Sequence, residues 1–311
     1  MAEAVISVDG LRKEYGSVVA VDDISFDIRA EEIFALVGPN GAGKTTTVEM
    51  LECLRTPTAG SAEVLGLDVS EQTREVKSHI GVVPQSFETF GRLTVRENVS
   101  LARGLYDEGR AVDEVVDELG LTEYADTRFS ALSGGLQRRT GIAMALVSDP
   151  EVLFLDEPTT GLDPAARRTT WEQIERLTDL GTTVVLTTHY MEEVEELADR
   201  AALLVDGGLE AIDTVSNLVD TYGGEVKLVV QTDGIDEDGV EATLRETATE
   251  VLYTDAGNLV GLFDDQASAQ DTFSRLHDRD GELSIELTSA GMEEVFLCLA
   301  GGAVDSQGEL V

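Results

Sequence analysis

Two periods of apolar positions alternate along this chain. Short unbroken apolar runs at 33–37, 80–83, 152–155 and 183–188 predict strands buried on both faces, with polar residues gathered just past their carboxyl ends. Ile24, Phe26 and Ile28 alternate with polar neighbours instead, predicting a half-buried strand over 20–28 that follows one at 6–8 across a turn at Tyr15-Gly16-Ser17. Between the runs, apolar residues recur every three or four positions. Val48, Leu51 and Leu54 predict a helix over 45–54, Val112, Val115, Val116 and Leu119 one over 112–119, and Trp171, Ile174 and Leu177 another after Pro164. Helices are also expected over 71–77, over 94–104 and from Ser133 through Ile142, Ala145 and Leu146, with a short strand at 61–65. Asp206-Gly207-Gly208 reads as the turn of a hairpin joining 201–205 to 209–212. After a linker at Tyr222-Gly223-Gly224, strands at 226–231, 251–254, 259–263 and 283–287 with helices at 238–248, 267–276 and 292–299 predict a small α+β domain.

Composition narrows the setting. With 311 residues and 42% hydrophobic content the chain can build one large α/β domain and a smaller one. No apolar run approaches the ~20 residues of a membrane span, and the first residues show no secretory signal. Cys53 and Cys298 lie far apart without metal spacing and are expected as buried free thiols, as in a reducing cytoplasm. Against 61 acidic residues stand 22 basic ones, a formal net charge of -39, which disfavours a nucleic-acid surface. Only Lys13, Lys44, Lys77 and Lys227 are lysines, and the carboxylates are spread throughout. Such a surface repels itself at low salt and predicts a highly saline cytoplasm, in resemblance to proteins of salt-accumulating halophiles.

The strand ends carry the chemistry. Gly38, Pro39, Asn40, Gly41, Ala42, Gly43, Lys44, Thr45 and Thr46 follow the run at 33–37 and match the P-loop pattern G-x-x-x-x-G-K-[ST] at every fixed position. Its amides and the helix N-terminus can cradle phosphate, Lys44 can reach the outer phosphates, and Thr45 can offer a hydroxyl to magnesium. Tyr15 upstream is either a packing residue or a stacking surface for a purine. Gln85 ends the run at 80–83, a weak signal alone. Ser133 before Gly134 and Gly135 is either a helix cap or a second anion cradle. Asp156 and Glu157 end the run at 152–155, where the first can hold magnesium and the second can polarise a water aimed at the terminal phosphate. Asp163 before Pro164 is a plausible helix cap. His189 ends the run at 183–188 within reach of such a phosphate, whereas His79 and His277 read as structural.

In this order the residues resemble the nucleotide-binding subunit of an ATP-binding cassette (ABC) transporter, over roughly residues 4 to 220. The resemblance makes Tyr15 the adenine-stacking aromatic, Gly38 to Thr45 the Walker A loop and Gln85 the Q-loop glutamine, a magnesium ligand and catalytic participant. It makes Ser133 to Gly135 the signature motif, Asp156 the Walker B magnesium ligand, Glu157 the catalytic glutamate, Asp163 a D-loop residue and His189 the switch histidine. One departure is Leu136, where the family's commonest signature has glutamine; Gln137 and Arg138 follow it. The implied fold is a mixed β-sheet core with a helical subdomain at about 86–148, together forming a nucleotide-binding domain at 1–221, and an accessory α+β domain at 222–311. The segment from Thr288 to Leu297 resembles the C-terminal extension of daunorubicin-resistance-like exporter subunits. The family implies ATP and Mg2+, a head-to-tail homodimer or heterodimer, a separate multi-spanning permease and a place on the inner face of the cell membrane, with energy for export as the function. A soluble ABC ATPase of DNA repair or translation is the alternative class, but those usually carry a coiled-coil insertion or two cassettes, and this chain has one cassette without sustained heptads.

Overall fold

A computed structural model describes residues 4–86, 89–231, 237–253, 258–277 and 283–300. Its centre is a six-stranded sheet in which Ile33–Val37 lies between Thr183–Thr188 and Arg200–Val205, with Val152–Asp156 and Ile80–Val83 continuing one side and Gly208–Thr214 closing the other. All pairings are parallel except that of Gly208–Thr214 with Arg200–Val205, whose connecting Asp206 and Gly207 have φ of 50° and 84°, the conformation of a two-residue hairpin turn. The unbroken apolar runs arise because both faces of this sheet are covered. Ile33, Ala35 and Val37 enter one hydrophobic cluster and Phe34 and Leu36 another, as the two-residue period of a strand requires.

The second cluster is capped by an antiparallel sheet ordered Val18–Arg29, Ala4–Tyr15, Ala59–Val64 and Leu67–Asp68. Ala4–Tyr15 is far longer than the predicted 6–8, and Val18–Arg29 extends the predicted 20–28 slightly at both ends. Phe26 stacks on Phe34 at 5.7 Å and joins the two sheets. Helix Lys44–Leu51 lies in the same layer and stops earlier than the predicted 45–54, since Cys53 turns the chain with φ 57° and leaves Leu54 59% exposed. The first cluster is covered by Val95–Arg103, Val112–Glu118 and Gly134–Leu146, through Val95, Val99, Val115, Val116, Ile142 and Leu146. Thr94 and Glu97 close a capping box at the start of the first of these helices.

The C-terminal strands form a four-stranded antiparallel sheet, ordered Glu250–Tyr253, Leu259–Phe263, Val226–Gln231 and Ser284–Ser289, with helices Glu237–Thr247 and Gln266–His277 and a separate apolar cluster. The last helix, Met292–Ala300, leaves that cluster: Met292, Val295 and Phe296 are buried in the core of the main body, and Glu195 accepts a hydrogen bond from the Met292 amide. Thr254, the predicted end of its strand, and residues 301–311 of the predicted accessory domain lie outside the described residues, as do 87–88 of the helical subdomain. Both cysteines are free but half-buried rather than buried. His79 pairs with Glu151 at 2.9 Å and His277 stacks on Phe273, in keeping with structural roles.

Candidate nucleotide site

The Gly38–Thr46 loop joins the central strand to helix Lys44–Leu51 and exposes Asn40, Gly41 and Thr45 while burying Ala42, Gly43 and Lys44. Gly43 is required there by close approach, because a Cβ at its φ of 97° would stand 2.3 Å from the Ala20 carbonyl oxygen. Lys44 is only 6% exposed, and its Nζ donates to the Gly38 and Pro39 carbonyls at 2.7 and 3.0 Å. Burial lowers its pKa, while Glu157 and Asp156 favour its charge. A cation held this way by its own loop is poised to exchange carbonyl oxygens for phosphate oxygens.

The two carboxylates that end Val152–Asp156 are held differently. Thr187 donates its hydroxyl to Asp156 Oδ1. Glu157 has φ 45°, and its amide donates to the carbonyl and hydroxyl oxygens of Thr187. Its Oε2 accepts from Gln85 Nε2 at 2.7 Å and from the Thr160 hydroxyl at 3.0 Å, while Oε1 lies 3.2 Å from His189 Nδ1. The hydrogen bond with His189 holds the Glu157 carboxyl below the usual carboxylate range against the opposing effect of burial, with Thr160 and Lys44 acting in the same sense. Gln85, Glu157 and His189 therefore converge from the ends of three neighbouring parallel strands, the crevice where ligands of open α/β sheets bind.

Ser133, Gly134, Gly135 and Asp163 form a second group. Ser133 Oγ accepts from the Leu136 amide at 3.4 Å, and Asp163 Oδ1 accepts from the Ala165 and Ala166 amides at 3.0 Å each, so both cap helices as expected. An added Cβ at Gly135 would come 2.9 Å from the Ala166 Cβ, which places the two helix N-termini side by side. Leu136 packs partly against the core. Tyr15 sits at the hairpin end of the antiparallel sheet, 42% exposed, with Lys13 Nζ 5.4 Å and Arg55 Cζ 5.5 Å from its ring centroid. The ring is thus partly exposed beside two cations rather than packed in the core. Thr160, Thr187, Lys13 and Arg55 were not legible as site residues, since a hydroxyl at a strand end or a cation in a turn has no local signature.

Residues 21–160 match the family model described as ABC transporter. The chain is 38% identical over 307 residues to the Nod factor export ATP-binding protein I of Paraburkholderia xenovorans, covering 97% of this chain and 98% of that protein. It is 35% identical over 310 residues to the daunorubicin/doxorubicin resistance ATP-binding protein of Streptomyces peucetius, covering 97% and 94%. Among solved structures, the ATP-binding subunit of an ABC transporter superposes with a TM-score of 0.63 at 25% identity over 70% of this chain and 93% of that one. An ATP-binding cassette in its ADP conformation gives 0.65 at 19% identity over 71% and 95%, a likeness of fold. With a phosphate loop, an ionised glutamate and a histidine all at the carboxyl ends of strands of one sheet, and with relatives matched along nearly its whole length, the chain belongs to the ABC transporter family as a subunit that binds and hydrolyses ATP.

Proposed function

We propose that this subunit binds MgATP on the Gly38–Thr46 loop, pairs head to tail with a second nucleotide-binding subunit, identical or related, and drives export through a separate multi-spanning permease on the inner face of the cell membrane. The observation that carries the catalytic part is the Glu157 carboxylate, ionised and clasped by Gln85, Thr160 and His189 close enough to Lys44 for their charges to interact. Lys44 neutralises the outer phosphates, Glu157 orients and polarises a water for in-line attack, and His189 fixes the glutamate and faces the same phosphate. The exposed Thr45 hydroxyl, the Asp156 carboxylate and the amide oxygen of Gln85, whose Nε2 is spent on Glu157, are hard oxygen donors that suit magnesium, which when bound would neutralise charge on the phosphates.

Dimerisation rests on the exposed Ser133 and Gly134 at a helix N-terminus, an anion cradle that would close the open side of a partner's nucleotide. ATP then joins the subunits and hydrolysis releases them. Export rests on relatives named for Nod factor export and for daunorubicin/doxorubicin resistance. No helix among the described residues is long and apolar enough to cross a membrane, and the proposal assigns the cargo path to the permease. The 222–311 region is assigned a dimer-stabilising or regulatory role. Glu157→Gln is expected to keep ATP binding, lose most hydrolysis and trap dimers detectable by size-exclusion chromatography; unchanged turnover refutes the role of Glu157. Recovery of a multi-spanning partner on purification from native membranes in high salt checks the permease, and recovery of ribosomes or DNA instead defeats it.

A further inference from the structure

Glu157 holds a left-handed backbone, φ 45°, which a non-glycine residue keeps only when its surroundings determine it. Two buried side chains outside the site described above grip the residues on either side of it. Arg138, 8% exposed on helix Gly134–Leu146, spreads its guanidinium over three carbonyls: Nη2 to Asp156 at 2.6 Å, Nε to Pro158 at 3.0 Å and Nη1 to Pro84 at 2.7 Å. Two of these flank Glu157 directly and the third precedes Gln85. From the other side comes Glu193, fully buried on Met191–Leu197, the helix that begins just after His189. Its Oε1 accepts from the Thr159 hydroxyl at 2.6 Å and from Trp171 Nε1 at 3.0 Å, while Oε2 has no hydrogen-bond partner.

An orphaned oxygen on a buried carboxylate is costly, and a buried arginine is costly as well. Burial pulls Arg138 down to about 10, still cationic at neutral pH, with Asp156 and Glu193 supporting its charge across the loop. Well-packed apolar side chains would hold the fold at less expense. What they would not do is bond the backbone on both sides of Glu157.

We infer that Arg138 and Glu193 are positioning residues, a clamp that holds Glu157 in its left-handed conformation and ties the segments carrying Gln85, Glu157 and His189 to the signature helix. The inference rests on the reading of Glu157 as the group that polarises water. Arg138→Lys keeps a charge but not the planar fork that serves three carbonyls, and Thr159→Val removes the hydroxyl without changing shape. In the full chain, each should lower kcat by about 10- to 100-fold while leaving KM for ATP within about twofold, the signature of misplaced geometry. Thr159→Ser should restore turnover. In a Glu157→Gln background, Arg138→Lys should cause no further loss in single-turnover phosphate release.

Three results overturn the clamp: unchanged kcat in Thr159→Val and Arg138→Lys although Glu157→Gln abolishes turnover, a lowered melting temperature with kcat per folded molecule intact, or losses that add fully to that of Glu157→Gln. Should Arg138→Lys not fold, Thr159→Val decides alone. If Glu157→Gln itself leaves turnover unchanged, the assignment of Glu157 falls and the clamp with it.

Discussion

Alanine at two glycines of one loop should separate backbone strain from collision. At Gly41 φ is 85° and nothing lies within 4 Å of an added Cβ, so Gly41→Ala carries only the left-handed penalty of about 1–2 kcal/mol. At Gly43, with φ 97°, the same penalty applies, but the Cβ would also meet the Ala20 carbonyl oxygen at 2.3 Å and Val21 Cγ2 at 3.3 Å. Either the loop or the strand Val18–Arg29 must shift, adding about 1–3 kcal/mol as at other overpacked sites. Gly43→Ala should therefore melt below Gly41→Ala by roughly 2–4 °C for each extra kcal/mol. Circular dichroism melts of the nucleotide-free full chain measure this. Binding of a fluorescent ATP analogue should fall further for Gly43→Ala, because the shifted residue is the neighbour of Lys44. Equal midpoints, or wild-type nucleotide affinity in Gly43→Ala, would refute the reasoning.

Other perturbations follow from burial and charge. Glu52 is 5% exposed, and burial, aided by Asp156 and Glu49, pushes its carboxyl from 4.5 up to about 8. Because the folded pKa is the higher one, wild type loses stability as pH rises from 4.5 to 8. Glu52→Gln should escape that loss, matching wild type near pH 4 and exceeding it at pH 8 by up to a few kcal/mol, at about 1.4 kcal/mol per unit; parallel urea midpoints across the range would exclude this. Phe296 is 2% exposed in the main-body core, so Phe296→Ala should cost about 3–5 kcal/mol in urea unfolding and hasten proteolysis near Gly224. A loss below about 1 kcal/mol would mean the last helix is not anchored there. Given the net charge of -39, raising KCl from about 0.1 M to about 2 M should raise the melting temperature, and a flat or falling midpoint would count against a saline setting.

Helix caps and short buried strands were legible because their rules are local. Asp163 followed by Pro164 and the run Ile33–Val37 each satisfy a pattern that any neighbourhood would respect. Leu54 shows the limit of such reading. Its spacing from Val48 and Leu51 is helical, yet the chain turns at Cys53 and the side chain faces solvent. The two twelve-residue strands of the antiparallel sheet were underestimated for a related reason: pairing with each other from Ala4 opposite Arg29 to Tyr15 opposite Val18, not local apolar content, carries them to their full length.

By itself, the sequence determined that a phosphate loop, two carboxylates, a glutamine and a histidine each stand at the end of a buried strand, because strand period and loop chemistry are written in neighbouring residues. Only the tertiary structure decided that Gln85 and His189, 72 and 32 positions from Glu157, share its carboxylate. The same holds for Arg138 and Glu193 bonding adjacent residues of one loop, Pro158 and Thr159, and for the last helix docking on the body beside Glu195. Those contacts depend on which strands become neighbours in the sheet, and that order is set by the packing of distant faces, which no local spacing encodes.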